Sequence, residues 1–186
     1  EEKTGGRVLA IPHNANLSNG AMFALRNSRG EPIDARYAET RARWEPLFEV
    51  TQNKGDQEAH PLLSPDDEFA GFEVFDKTGS FGTAPKQEWM LEHEYARPAL
   101  KLGLRIGQSA GVNPYRFGLI GSSDTHTGLA GSVEEDNYWG KGSGMEPGQP
   151  RTTGVFMPAR IGEEFSFMRI ELGASGLAAV WATENS

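Results

Sequence analysis

The fold of this chain is indicated most clearly by one stretch, Phe117-Gly-Leu-Ile-Gly-Ser-Ser-Asp124-Thr-His126-Thr-Gly128. Its apolar first part has the length of a short β-strand and stops at Gly121. Residues two apart in an extended backbone point to the same side, so Asp124 and His126 are expected to converge just past the strand end. A carboxylate and an imidazole suit Zn, Mn or Fe, and barrel enzymes hold their active sites at strand ends.

Two further apolar runs end in the same way. The run Arg7-Val-Leu-Ala-Ile-Pro-His13-Asn14 has strand length, and Pro12, which cannot donate to a ladder, marks the strand edge with His13 at its mouth. The run Pro46-Leu-Phe-Glu49-Val-Thr-Gln52 places a carboxylate where burial is costly unless it is paired or binds a metal. The predicted metal ligands are therefore His13, Glu49, Asp124 and His126.

Each predicted ligand also has a plainer interpretation. Asp124 could cap a helix, either histidine could be hydrogen-bonded in the core, and Glu49 could pair with a neighbouring cation. Lys54 follows Glu49 in a glycine-containing loop, where its ammonium could steady a phosphate or sulfate oxygen or simply be solvated. We predict Glu49 and Lys54 as the catalytic residues.

Composition narrows the class of protein. The 186 residues suit a single domain with a real core, while a 37% apolar fraction and 23 glycines predict long loops. The net charge of −8, without a basic cluster, argues against nucleic-acid or membrane partners. The partner expected from the candidate site is instead a small-molecule or ester substrate. Without cysteine there are no disulfides or thiolate ligands, and the compartment stays open, with a periplasmic or secreted parent protein as one option.

The order of segments predicts an α/β fold with mainly parallel strands, since strand-like and helix-like runs alternate. A single domain is expected over residues 1–186, with a glycine-rich loop excursion over 128–154. In such sheets ligands bind at the carboxyl ends of the strands, where the four candidate ligands fall. The predicted strands are 7–11, 47–51, 117–121 and 176–182, and the predicted helices are 33–44, 85–107 (interrupted by Pro98) and 162–172.

Several phrases of the sequence resemble a known superfamily. The strand-end motifs are similar to the later motifs of the PHP (polymerase and histidinol phosphatase) proteins. Their exact residues resemble those of bacterial family 3604 of the domains of unknown function. The phrases are Ile11-Pro-His-Asn14, Phe48-Glu-Val-Thr-Gln-Asn-Lys-Gly-Asp-Gln-Glu58, Tyr95-Ala-Arg-Pro-Ala-Leu-Lys-Leu-Gly103, Gly111-Val-Asn-Pro-Tyr-Arg-Phe-Gly-Leu-Ile-Gly-Ser-Ser-Asp-Thr-His-Thr-Gly128 and Gly176-Leu-Ala-Ala-Val-Trp-Ala-Thr-Glu-Asn185.

The resemblance implies a distorted (β/α) barrel with long loops and one to three divalent metal ions at the strand mouths. It also implies a metal-dependent hydrolase of phosphate esters. On this pattern His13 matches the lone mid-chain histidine ligand, Glu49 the carboxylate that bridges metals, and Asp124 with His126 the closing pair.

One departure from the superfamily pattern is large. PHP proteins open with a His-x-His motif, but the four histidines here (His13, His60, His93 and His126) contain none. We therefore expect a later portion of a longer protein, partnered by the missing N-terminal half of its parent chain. Two alternatives stay open: a non-catalytic metal- or carbohydrate-binding module, and a sulfate-ester or amide hydrolase of the same geometry.

Overall fold

The structure, a computed structural model, describes residues 3, 5–79, 82–124, 126, 154–173 and 176–184. The predicted loop excursion over 128–154 lies outside these residues except for Gly154. In chain order the elements are α1 Ala35–Trp44, β1 Leu47–Gln52, β2 Gly55–Asp56, β3 Thr78–Gly79, β4 Ala84–Pro85, α2 Glu88–Leu91, α3 Ala96–Ala110, β5 Gly118–Gly121, β6 Val155–Met157 and β7 Phe167–Met168, with 3₁₀ helices at Ala15–Leu17, Glu163–Phe165 and Arg169–Glu171.

The central sheet has the strand order β2-β1-β5. β1 runs parallel to β5, with Glu49 opposite Ile120, and antiparallel to β2, with Gln52 opposite Gly55. The β1–β2 hairpin closes over two residues, and Gly55 has a φ of 91° that side-chain-bearing residues rarely adopt. A Cβ at Gly55 would lie 2.5 Å from the Glu73 carbonyl oxygen, so both the backbone conformation and the lack of space require glycine here.

The two longer helices pack with this sheet through a common buried cluster, which contains Ala38 of α1, Leu102 of α3 and Phe48 of β1. Asp34 caps α1 by accepting the Tyr37 backbone N–H at 2.7 Å. The predicted helical segment 85–107 is two helices, and Pro98 lies in the first turn of α3, where a missing N–H costs nothing. Among the described residues, no helix is both long enough and apolar enough to cross a lipid bilayer.

Two apolar clusters hold these elements together. In the larger one the Phe23 ring meets the rings of Phe48 and Tyr115 edge-on, with centroids 5.1 and 5.3 Å apart. In the smaller one Phe75 and Phe167 stack at 3.6 Å. Each buried aromatic ring contributes about 1.5–3 kcal/mol by leaving water, so the larger cluster helps to hold Phe48 of β1 against the buried face of α3.

The predicted (β/α) barrel with mainly parallel strands is wrong. The described residues form three helices and three small sheets, of which the two-stranded sheets β3-β4 and β6-β7 are both antiparallel. The strand pairs in the described part include a single parallel one, β1 with β5. A closed barrel needs a continuous ring of paired strands, and these short sheets do not provide it.

Three of the predicted elements also differ. Residues 7–11 form no strand. The Ala10 N–H donates to the Trp44 carbonyl at 2.7 Å, and the Glu49 N–H donates at 3.0 Å to the carbonyl of Pro12, which has no N–H to return a bond. Residues 176–182 are not a strand either. The predicted helix over 162–172 is instead the strand β7 between two 3₁₀ helices.

Candidate functional site

The candidate site lies where β1 and β5 end side by side. Parallel strands present their carboxyl ends at one edge of a sheet, so residues after Gln52 and after Gly121 meet there. The Ser122 N–H donates to the Thr51 carbonyl at 3.1 Å and extends this pairing beyond β5. The loop after β5 is thereby held beside the β1–β2 turn.

Asp124 is the central carboxylate of the site. Its Oδ2 contacts the Lys54 ammonium, and its Oδ1 lies 3.2 Å from His126 Nε2. The Asp124 backbone has a φ of 52°, a left-handed conformation that Asp tolerates better than most residues. The Asn53 side-chain amide donates to the Asp124 carbonyl at 3.4 Å and supports this turn.

Glu49 is a buried carboxylate with a defined partner. It lies within β1 and is 7% exposed, and its Oε1 accepts a hydrogen bond from the Ser122 hydroxyl. Because a hydroxyl can donate one bond, this contact fixes one carboxylate oxygen. The neighbouring ammonium of Lys54 feels the negative charge of Glu49.

Lys54 is a buried ammonium at the tip of the hairpin. Burial lowers the pKa of Lys54 to about 8, and the charge of Glu49 opposes that shift. The contact with Asp124 favours the charged form in the same way, so Lys54 is an ammonium at neutral pH. The Gln52 side chain accepts the Lys54 N–H at 2.8 Å, and the Asn16 side chain donates to the Lys54 carbonyl at 2.9 Å. The turn tip is therefore fixed by amides on both sides.

His13 is attached to the same edge through its backbone. Its carbonyl accepts two hydrogen bonds, from Gln52 Nε2 at 3.0 Å and from Gln57 Nε2 at 3.1 Å. The exposed ring donates from Nδ1 to the Ile11 carbonyl at 2.9 Å, since a carbonyl can only accept. In the neutral ring this leaves Nε2 as the basic nitrogen, the arrangement typical of metal-binding histidines.

The separation of Asp124 Oδ1 and His126 Nε2 is that of a hydrogen-bonded ion pair, and it is also compatible with two ligands of one metal ion. Ligand atoms about 2.0–2.2 Å from a shared ion lie roughly 3–3.5 Å from each other, and the observed separation is 3.2 Å. Within the described residues, no three His, Asp or Glu side chains gather closely enough to hold an ion. The donor chemistry fits a divalent ion through this pair, and the assignment of His13 and Glu49 to the same site stays a prediction.

Residues that the sequence reasoning did not single out carry much of this arrangement. Gln52 and Gln57 are fully buried, and both bind the His13 carbonyl. Ser122 positions Glu49. The run of amides in Gln-Asn-Lys-Gly-Asp-Gln over 52–57 was the available signal, because so many amides in one short hairpin are usually bonded to something buried.

His60 is a buried histidine whose partners are all within the protein. Its Nε2 bonds Asp76 at 2.8 Å, and its Nδ1 accepts the Leu62 N–H at 3.2 Å. The ring also lies 5.2 Å from the Tyr95 ring. Because both ring nitrogens already have protein partners, His60 is a structural residue.

The fold and site together define a class: a protein with small mixed sheets and a charged, amide-supported site where two parallel strands end. Over residues 1–186 the chain matches the family described as "Protein of unknown function (DUF3604)", and it belongs to this family. The resemblance to family 3604 is thus confirmed, whereas membership of the PHP superfamily is not supported. No curated protein and no solved structure gives a significant match.

Proposed function

We propose that this chain carries the site of a metal-dependent hydrolase that acts on phosphate esters. One observation carries the proposal: the Asp124 carboxylate faces an imidazole with one oxygen and a buried ammonium with the other. This arrangement lies where parallel strands end, beside a second buried carboxylate, Glu49. A divalent ion bound to such carboxylates would be the largest local charge and would attract an anionic substrate.

In this proposal Asp124 and His126 bind the metal ion, and His13 and Glu49 complete the set of protein ligands. The ion is Zn, Mn or Fe, because a mixed nitrogen and oxygen set admits all three, and one to three ions can be present. When bound, such an ion lowers the pKa of a coordinated water and offsets phosphoryl charge.

Glu49 and Lys54 supply the chemistry of the chain itself. Glu49 is held by Ser122 at one carboxylate oxygen, and its other oxygen can bind and orient the ion that activates the water. Lys54 is an ammonium that can transfer its hydrogen bond from Asp124 to a phosphoryl oxygen. Its buried position strengthens that interaction, because little water competes for either charge.

The choice of phosphate esters rests on the resemblance of the strand-end motifs to those of PHP proteins, and it does not depend on a barrel. We propose a small ester as the substrate, with neither nucleic acid nor membrane as a partner.

The proposal is tested with metal-stripped protein reloaded with Mn, Zn or Fe. We expect at least one equivalent of bound metal and metal-dependent turnover of p-nitrophenyl phosphate. His126→Ala should lose both, whereas His93→Gln, which alters a histidine bonded to the Phe23 carbonyl, should keep both.

Other outcomes decide for the alternatives. Metal binding without turnover of phosphate, sulfate or anilide substrates would favour a non-catalytic binding module. Turnover of the p-nitrophenyl sulfate or of the anilide alone would identify a sulfate-ester or amide hydrolase, since a metal site does not itself choose the electrophile. If the chain binds no metal, the metal-dependent hydrolase and the metal-binding module are both refuted.

A further inference from the structure

Residues 60–73 form a loop of successive turns, the aromatic loop, that exposes three large apolar side chains. Leu62, Phe69 and Phe72 are 64%, 73% and 66% exposed. The Phe72 N–H donates to the Phe69 carbonyl at 2.9 Å, so a single turn carries both rings. An aromatic side chain presents about 150–250 Å², so the two rings leave roughly 200–350 Å² in water. Apolar surface of this extent on one element marks an interaction site.

The aromatic loop is ordered by its own contacts. The His60 carbonyl accepts the N–H groups of Leu63 and Ser64, each at 2.9 Å. A Cβ on Gly71 would lie 3.6 Å from Cγ of Pro61, so the two ends of the loop are in contact. Because the backbone is already fixed, a partner that covers the rings meets little cost for ordering the loop.

The exposed charge of the loop is negative. The Arg97 guanidinium of α3 bonds Asp67 at 2.6 Å and Glu58 at 2.9 Å, so its own charge is offset by two carboxylates. Asp66 and Glu68, on either side of Asp67, are exposed, and within the described part of the chain neither forms an ion pair. Two carboxylates therefore lie next to the exposed rings without a cation of the chain to offset them.

A groove of about 700 Å³ lies against the same loop. Leu63, Phe69, Asp66 and Glu68 line it, with Arg97 on the side of α3. Its volume falls in the range of ligand sites, about 300–1,000 Å³, so it can seat side chains of a partner. Apolar side chains and exposed carboxylates thus meet in one surface.

The negative charge decides which kind of partner fits. A second copy would bring another chain with a net charge of −8, and an anionic lipid surface would be repelled by Asp66 and Glu68. A segment with apolar side chains on one face and cationic side chains beside them complements both the rings and the carboxylates. The loop consists of turns and offers no strand edge, so a helix, which satisfies its own backbone, fits it better than an added strand.

We propose that the aromatic loop docks a basic amphipathic helix of a partner protein. The apolar face of the helix covers Phe69 and Phe72 and enters the groove beside Leu63, and its Lys or Arg side chains face Asp66 and Glu68. The two rings carry most of the affinity, as buried aromatic anchors do in other interfaces. Docking here needs neither a metal nor the proposed hydrolase activity.

The test uses a fluorescein-labelled helical peptide of Leu and Lys, about 18 residues long because shorter helices are marginal in water. Anisotropy with the whole chain and a chelator should show saturable binding. Two comparison peptides isolate the recognised features: one has Glu in place of every Lys, and the other has the same composition in an order that is not amphipathic. Each should bind at least about tenfold more weakly, because it lacks either the charge or the apolar face.

Variants of the loop locate the binding. Phe69→Ser and Phe72→Ser should each weaken it about tenfold, the loss expected of an interface anchor. Leu104→Ser is the matched control, because it removes an exposed apolar side chain, 69% exposed, from α3 outside the loop. It should leave the affinity for the peptide unchanged.

The charges are tested in the same way. Asp66→Asn and Glu68→Gln should each weaken binding about two- to threefold at low salt, as loss of an exposed ion pair predicts. Glu39→Gln, at an exposed position of α1, should not.

Four results would overturn the proposal: no saturation by about 100 µM peptide, equal affinity for the three peptides, equal losses in Leu104→Ser and Phe69→Ser, or a dimer of the chain that Phe69→Ser dissociates. The last result would assign the surface to a second copy. The comparison of the three peptides uses unaltered protein, so it decides even where a variant folds poorly.

Discussion

The Lys54 ammonium contacts Oδ2 of Asp124, while Oδ1 of the same carboxylate lies 3.2 Å from His126 Nε2. Both Lys54 and Asp124 are largely buried, with side chains 7% and 12% exposed. One carboxylate thus serves a cation from the β1–β2 turn and an imidazole from its own loop. A metal ion bound to Asp124 and His126 would have to share the Asp124 charge with Lys54.

This competition predicts the effect of removing Lys54. In Lys54→Met the affinity for Mn or Zn should rise by about tenfold, because a positive charge next to the ligand carboxylate is lost. Turnover of a phosphate ester should fall, because the group proposed to bind the phosphoryl oxygen is gone. Lys101→Met, at an exposed position of α3, is the control for both measurements. Unchanged metal affinity in Lys54→Met would show that the ion does not bind at Asp124.

The two proposed ligands should differ sharply in their effect on folding. Asp124→Asn keeps a residue that tolerates the left-handed backbone but leaves Lys54 buried without its anion, which should cost about 3 kcal/mol. His126→Ala removes a side chain that is 66% exposed and should cost less than about 0.5 kcal/mol. Urea unfolding measures both values. Similar costs for the two variants would mean that the Lys54–Asp124 contact is not a stabilising pair.

The titration of Lys54 predicts how stability changes with pH. Burial lowers the pKa of Lys54 in the folded protein to about 8, whereas the unfolded chain keeps the ordinary value of 10.5. Between these values the unfolded state holds more protons, so the free energy of unfolding should rise as the pH increases from 8 to 10.5. Below pH 8 Lys54 is charged in both the folded and the unfolded state, so the free energy of unfolding no longer changes with pH through this residue.

The pH effect is isolated by comparing the protein with Lys54→Met across that window. As the pH rises from 8 to 10.5, the free energy of unfolding of the unaltered protein should increase relative to that of Lys54→Met. A constant difference from pH 7 to pH 10.5 would mean that Lys54 titrates normally. In that case the contact with Asp124 outweighs burial.

Local patterns in the sequence located several elements but not their partners. The helical spacing over 33–44 and the apolar run over 117–121 correspond closely to α1 and β5. The run over 7–11 is equally apolar but forms no strand, and its Val8 and Leu9 are exposed. Strand pairing depends on residues far away in the chain, which a local pattern does not contain. The barrel was expected from the resemblance, which likewise contained no information on which strands of this chain pair.

The site was partly predictable, although for an inexact reason. The spacing of Asp124 and His126 predicted that they converge, and they do. The Asp124 backbone is left-handed, with a φ of 52°, so the extended strand geometry from which we argued does not hold at this residue. The contact between Lys54 and Asp124 joins a hairpin tip to a distant loop, so no spacing in the sequence could indicate it.

The buried amides that hold His13 offer a further prediction. Gln57 donates to the His13 carbonyl at 3.1 Å and accepts the Ala15 N–H at 2.7 Å. Gln57→Leu keeps most of the volume but leaves the buried Ala15 N–H without this acceptor, and it should cost about 2–3 kcal/mol in urea unfolding. His13 would keep its bond from Gln52, so the segment should loosen without detaching.

The matched control for Gln57→Leu is Gln108→Leu, at an exposed position on α3, which should change stability by less than about 0.5 kcal/mol. The effect on the site can be read separately from stability by the visible spectrum of Co-loaded protein. If His13 binds the ion, Gln57→Leu should alter that spectrum and Gln108→Leu should not. A spectrum identical in Gln57→Leu and His13→Ala to that of the unaltered protein would remove His13 from the ligand set, because a ligand that is displaced or deleted must change the coordination of cobalt.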